Sequence, residues 1–246
     1  WLPLSLKAIE GSAFFFCTNL KTVEYAGSQD DWDQVAFDKF RNESLVNAQM
    51  HFANLLTADK FSDVSHNWAY DGINYCYTHR LMRGIDGERF APKATTTRAQ
   101  IVQILYNLQG EPEVSGPMPF DDVFNHWAEK PILWAYQTGV VAGTSDTTFD
   151  PDKPVTREQI AVILMGYVDR ILKLEHTWEP ADLSGYPDAG SVSGWAKDAL
   201  ADAVALGLIS GASNGGQTYL DPQGSATREQ VATILMEFCK NVMNKQ

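Results

Sequence analysis

Several things are scarce in this 246-residue chain, and each scarcity removes a class of protein. There are three cysteines, Cys17, Cys76 and Cys239, far apart and without metal-ligand spacing. An odd count gives no disulfide framework, and buried thiols are the expectation for all three. Positive charge is scarce: 19 Lys and Arg face 31 Asp and Glu, a net charge of −12. Such a balance argues against nucleic acid as a partner, since phosphate binding needs a basic surface. An anionic ligand would have to be held by local arginines, because the overall field repels it. No run of eighteen apolar residues exists, so no helix should span a membrane. Five histidines, His51, His66, His79, His126 and His176, are scattered; His66 and His126 recur beside a tryptophan and read as surface polar residues. No His-Glu-x-x-His, Gly-x-Ser-x-Gly or P-loop occurs, so nothing marks an enzyme, and no metal or cofactor is expected. The chain opens at Trp1 without a methionine or signal-like segment, as a fragment or processed form would.

What is present is a pattern written three times. Thr97-Arg98-Ala99-Gln100, Thr156-Arg157-Glu158-Gln159 and Thr227-Arg228-Glu229-Gln230 each stand six residues after a proline, Pro92, Pro151 and Pro222, counting to the arginine. Thr-x-x-Gln before an apolar run predicts a capping box. The arginine then opens the helix, beside backbone N–H groups that lack intrahelical partners. A helix N-terminus with a guanidinium is a candidate anion site.

Upstream the same phasing continues. Phe61-Ser62-Asp63-Val64, Phe120-Asp121-Asp122-Val123 and Tyr186-Pro187-Asp188-Ala189 open the units. Trp68, Trp127 and Trp195 follow, 30, 30 and 33 residues before the arginine. Gly84, Gly143 and Gly211 lie between them; the extra three residues of unit three fall in 212–216, a turn-rich loop that tolerates insertion. Each unit reads as helix, loop, helix. In unit two the first helix is expected from about Trp127 to Thr138, stopping at Gly139. The second shows Ile160, Ile163, Leu164, Tyr167 and Ile171, an i, i+3, i+4, i+7 stripe repeated from Ile101 and Val231. Proline- and glycine-bearing linkers, 110–117 and 179–185, divide the units. A unit of about 50 residues has little core of its own, so the three should share one.

Together these residues resemble the S-layer homology domain. The resemblance covers about residues 58–244, as repeats at 58–110, 117–178 and 183–244. It implies a mainly α fold, three helix-loop-helix repeats in a pseudo-threefold bundle with ligand grooves between neighbours. It implies non-covalent anchoring of a bacterial surface protein, outside the cell, to a secondary cell-wall polysaccharide, typically carrying a pyruvylated N-acetylmannosamine. The family's usual motif ends in glutamate; here Gln100, Gln159 and Gln230 keep the capping box and remove negative charge beside the anion site.

Under that resemblance Arg98, Arg157 and Arg228 are the candidate partners of the pyruvyl carboxylate. Each could instead bridge structurally to a carboxylate of the adjacent unit. Trp68, Trp127 and Trp195 could stack on sugar or lie in the core. Gly84, Gly143 and Gly211 could admit ligand to the backbone or end helices at positive φ. Asp63, Asp122 and Asp188 read as N-caps or turn formers. Arg80 stands where units two and three have Gly139 and Gly207 and, with His79 and Arg83, suggests a bulkier, more basic first groove and fewer than three functional grooves. Asp146, Asp150 and Asp152 lack the ladder of a calcium loop.

Residues 1–57 are less regular. Leu6, Ile9, Ala13, Phe14, Cys17, Leu20 and Val23, then Tyr25-Ala26-Gly27-Ser28 and Asp31-Trp32, resemble the C-terminal end of a leucine-rich repeat array of bacterial surface proteins. A small β-rich cap fits the same residues. This portion could bind a protein, which makes an interaction scaffold the alternative function.

Overall fold

A computed structural model describes residues 2, 6–25, 27, 32–52 and 57–243. Two hydrophobic cores are present. The small one is centred on Ile9, Val23, Tyr25, Val35 and Leu45. The large one runs from Ala58 to Val242 through all three repeats.

The N-terminal portion is built from short parallel pairs. Strand β1 (Ala8–Ile9) and β2 (Thr22–Tyr25) are followed by β3 (Ala36–Phe37), helix α1 (Glu43–Val46) and β4 (Gln49–Phe52). β1 pairs with β3, Ala8 opposite Ala36, and β2 with β4, Thr22 opposite Gln49. The partners are 28 and 27 residues apart, so the chain climbs one layer per turn of about that length. Asn42, fully buried, ties the layers. Its Oδ1 accepts from Phe14 N at 2.7 Å, and Nδ2 donates to Glu10 O and Asp38 O at 2.9 and 2.7 Å. Ile9 and Val23 are core residues as the leucine-like spacing suggested. Ala13 and Cys17 are exposed, so the buried-thiol expectation holds for Cys76 and Cys239 but not Cys17. Ala26, Ser28 and Asp31 lie outside the described residues.

The repeats are helical. Repeat one holds α2 (Tyr70–Thr78) and α3 (Arg98–Leu108), repeat two α4 (Glu129–Gln137) and α5 (Arg157–Tyr167). Repeat three holds α6 (Lys197–Ala205), strands β5 (Ala212–Asn214) and β6 (Gln217–Tyr219), and α7 (Arg228–Asn241). Capping boxes form at Thr97, Thr156 and Thr227, each hydroxyl accepting from the glutamine N–H while the glutamine side chain accepts from the threonine N–H. Pro131 sits in the first turn of α4, where its missing N–H leaves no gap. The extra residues of repeat three make a β5–β6 hairpin turning at Gly215 and Gly216, φ 59° and 82°. Two successive positive φ values are the type I′ geometry that suits a two-residue hairpin.

Each second helix packs against the first helix of another repeat: α3 on α4, α5 on α6, and α7 on α2. At the last crossing a Cβ on Gly72 would lie 2.7 Å from Thr233 Cα, so glycine permits the close approach. The segments before the second helices interlock as well. Thr96 N donates to Ala226 O, Ala226 N to Val155 O, and Val155 N to Thr96 O, at 2.8–2.9 Å, a closed cycle of three backbone hydrogen bonds.

Candidate functional site at the seams between repeats

The cycle places each Thr-Arg motif against the proline loop of the next repeat. Arg98 N and Ala99 N donate to Lys153 O and Pro151 O. Arg157 N and Glu158 N donate to Gly224 O and Pro222 O, and Arg228 N and Glu229 N to Ala94 O and Pro92 O. The third N–H of each helix goes to the capping threonine. The helix starts therefore offer an anion no free first-turn N–H, which corrects the expectation of a helix-terminus anion site: the neighbouring loop already fills that role. What remains for a ligand is the side chains.

The guanidinium groups follow the same route. Arg98 Nε donates to Phe149 O at 2.9 Å, Arg157 Nε to Leu220 O at 2.7 Å and Arg228 Nε to Phe90 O at 2.8 Å. Arg98 and Arg228 also donate from Nη2 to Ala142 O and Arg83 O, the carbonyls just before Gly143 and Gly84. Their guanidinium carbons sit 4.4 Å and 4.6 Å from the ring centroids of Phe149 and Phe90, within cation–π range. Leu220 replaces the ring beside Arg157. The three arginines are only 6%, 5% and 9% exposed. Burial pulls each guanidinium below its ordinary value, opposed by Asp150 and Asp122 for Arg98, Asp221 and Asp188 for Arg157, and Asp63 for Arg228. All remain cations, since arginine does not deprotonate in proteins.

The acceptor carbonyls are held in place by the aspartates. Asp63 accepts from Phe90 N and Ala91 N, Asp122 from Phe149 N and Asp150 N, and Asp188 from Leu220 N and Asp221 N, all at 2.7–3.0 Å. Ala91, Asp150 and Asp221 are left-handed, φ 58°, 58° and 50°. A charge-assisted pair of hydrogen bonds offsets the backbone strain there. These aspartates are long-range loop clasps, not N-caps or local turn formers.

The glycines are packing positions. A Cβ on Gly84 or Gly143 would stand 2.5 Å from Phe61 or Phe120, and one on Gly211 2.8 Å from Tyr219 O. Of the three only Gly211 has positive φ, 78°. The helix-end role belongs to Gly139 and Gly207 instead, φ 76° and 73°, and to Arg80 at 58°. A Cβ on Gly139 or Gly207 would meet the side chains of Arg170 or Asn241, at the far ends of the second helices. Arg80 belongs to that far end, while Arg83 lends a carbonyl to the Arg228 seam. The tryptophans are outside the core: Trp68, Trp127 and Trp195 are 59%, 58% and 61% exposed. The side-chain oxygens of Gln100, Gln159 and Gln230 each accept from their capping threonine.

Sequence reasoning missed residues that link two of the tryptophans, Trp127 and Trp195, to their seams. His126, read as a surface residue, is largely covered; its Nδ1 accepts from Ala128 N, and Nε2 meets Asp152 in the proline loop at 3.2 Å. Ser193, two residues before Trp195, donates from N and Oγ to Glu158. Asp150, part of the rejected calcium cluster, pairs with Lys153 at 3.0 Å and accepts from Thr144. Among the described residues no group of three His, Cys, Asp or Glu side chains could hold a metal ion.

The geometry defines a class: a repeat module with cationic, aromatic-flanked seams and no catalytic constellation among the described residues. Comparison with known proteins gives the family. The S-layer homology domain model matches residues 60–102, 119–161 and 185–232, and the chain belongs to that family, whose domain is an anchoring module of the cell surface. An endoglucanase of Bacillus sp. (strain KSM-635) is 34% identical over 71% of this chain and 18% of its own length. A surface-layer 125 kDa protein of Lysinibacillus sphaericus is 30% identical over 80% of this chain and 16% of its own length. A cellulosome-anchoring protein of Acetivibrio thermocellus is 29% identical over 67% of this chain and 36% of its own length. The chain thus spans about a third or less of these relatives, and the matches to enzymes leave most of those enzymes uncovered.

Proposed function

We propose that this chain anchors a bacterial surface protein to the cell wall by binding an anionic secondary cell-wall polysaccharide, a pyruvylated amino sugar supplying the carboxylate. The three repeats act as a pseudo-threefold bundle with the ligand in the seams. Arg98, Arg157 and Arg228 face the carboxylate, Trp127, Trp195 and Trp68 lie against the sugar, and Gly143 and Gly84 let the backbone close on the guanidinium groups of Arg98 and Arg228.

The observation that carries the reading is a charge imbalance. The three arginines are each more than nine-tenths buried as residues, yet among the described residues no carboxylate lies within ion-pair distance of any of them. A buried cation whose nearest carboxylates stand beyond ion-pair distance is costly to maintain. Carbonyls compensate part of it. The side-chain nitrogens left unpaired still reach solvent, because among the described residues Thr96 Oγ1 is the one fully buried side-chain nitrogen or oxygen without a partner. A carboxylate arriving there would complete the coordination and gain charge-assisted hydrogen bonds.

The N-terminal residues 1–57 are, in the same proposal, the end of a leucine-rich repeat array, supported by the 27–28-residue climb and the Asn42 tie. That portion favours a second reading, a surface scaffold that binds a protein, and the two are compatible as cargo and anchor.

Co-sedimentation with cell-wall sacculi, before and after stripping of the secondary polymer, tests the anchoring. Binding should vanish on stripping and fall sharply when Arg98, Arg157 and Arg228 are replaced together by lysine. Lysine keeps the charge but loses the planar fork, and the variant's melting temperature reports separately whether the seams hold. Full sedimentation on stripped sacculi would overturn the proposal.

A further inference from the structure

The three seams are built alike in backbone but not in charge. The residue after the arginine differs: Ala99, Glu158 and Glu229. All three positions are buried. In the seam between repeats three and one, Glu229 is neutralised by Lys93 Nζ at 2.5 Å. In the seam between repeats one and two Ala99 supplies no acid at this position, Asp122 and Asp150 act on Arg98, and the loop lysine, Lys153, holds Asp150. In the seam between repeats two and three the partners of Glu158 among the described residues are neutral: Ser193 N at 3.0 Å, Ser193 Oγ at 2.8 Å and Gln223 Nε2 at 2.8 Å.

The loop residues sharpen the contrast. Gln223 occupies the position of Lys93 and Asp152, and Gly224 that of Lys153. Arg157 is opposed by Asp188 and Asp221 much as Arg98 is by Asp122 and Asp150, but its seam also holds the Glu158 carboxylate and has no lysine in its proline loop. It also lacks the aromatic ring that flanks Arg98 and Arg228. Like charge near a binding anion raises the electrostatic cost of bringing it in, most of all where burial limits screening.

We propose that, resting on the anchoring reading, two of the three seams bind the carboxylate-bearing sugar, those of Arg98 and Arg228, while the uncompensated Glu158 closes the Arg157 seam to it. Glu158 is then a specificity-determining residue. It already fills hydrogen-bond donors, Ser193 N, Ser193 Oγ and Gln223 Nε2, that an incoming carboxylate would otherwise use. The Arg157 seam remains suited to an uncharged sugar of the same polymer.

Calorimetric titration of the chain with the methyl glycoside of 4,6-O-pyruvyl-N-acetylmannosamine reads this directly. The wild type should bind two equivalents, and the same glycoside without its ketal should bind at least ten-fold more weakly. Glu158→Gln keeps the size and most hydrogen bonds of the side chain and removes its charge; it should open a third site and raise the stoichiometry to three. Glu158→Ala provides the same reading should the amide reorient. Three equal sites in the wild type, or a stoichiometry of two in both variants, would overturn the inference and leave the anchoring reading standing. No binding of the ketal-bearing sugar by wild type or variants would sink the anchoring reading and this inference with it.

Discussion

The N-terminal portion and the repeat region solve the same problem differently. Both must satisfy backbone groups at the ends of short elements. In residues 6–52 the strands stop after two to four residues, and each sheet has two strands, so β1 and β3 leave edges without a strand neighbour among the described residues. One buried asparagine ties the layers. In the repeats every second helix begins on carbonyls supplied by the next repeat, and the last repeat returns to the first. Closure makes the end of one unit the partner of another, which an open stack cannot do for its terminal layer. The comparison teaches why three copies suffice here and why each arginine is held by its neighbour's loop.

The largest effect that would break this contrast is in the clasp. Asp122→Ala removes both acceptors of Phe149 N and Asp150 N and frees the carbonyl that Arg98 uses. We expect a loss of about 3 kcal/mol from the repeat region, read by denaturant unfolding with helix signal. A loss under about 0.5 kcal/mol would show that the loop holds itself.

Asn42→Ala should cost about 2 kcal/mol, confined to the N-terminal portion, because three hydrogen bonds of a buried amide are lost. Hydrogen exchange should rise at Phe14 and leave the amides of α5 unchanged. Equal loosening of both regions would mean that they unfold as one unit.

Arg80→Gly is expected to stabilise the repeats, by about 0.5–1 kcal/mol, since a side chain at φ 58° carries strain that glycine avoids. It would make the end of α2 match those of α4 and α6. A lower melting temperature would mean that Arg80 has a partner worth more than the strain.

The smallest effect is on the acid side. Thr144 and Lys153 hydrogen bonds hold the Asp150 carboxyl below the usual carboxylate range. A depressed carboxylate contributes stability that is present above its unfolded value, about 3.9, and fades as pH falls through the folded one. Asp150→Asn should therefore lower the stability of the repeat region slightly near neutrality and flatten its profile below pH 4, where the wild type loses the same contribution. An unchanged acid slope would remove Asp150 from the account.

Much of this was readable before any coordinates. Thr-x-x-Gln at three equal phases predicted three capped helices, because capping chemistry is local to four residues. The Ile160, Ile163, Leu164 and Tyr167 stripe predicted the buried face of α5, because helical period alone sets which side chains share a side. The exposure of the tryptophans was undetermined by sequence, since an aromatic opening a helix can face either way. The roles of His126, Glu158 and Lys93 were invisible, because their partners lie 26, 35 and 136 residues away.

The amino-acid order by itself determined the triple repeat, the helix starts and the polarity of each face, all of which follow from interactions within a few residues. Only the tertiary structure decided which repeat receives each arginine, that the helix N–H groups are already occupied, and that Glu229 meets a lysine while Glu158 meets neutral partners. Those depend on how far-separated segments meet, and Coulomb energy is set by distance and burial, which no local pattern encodes.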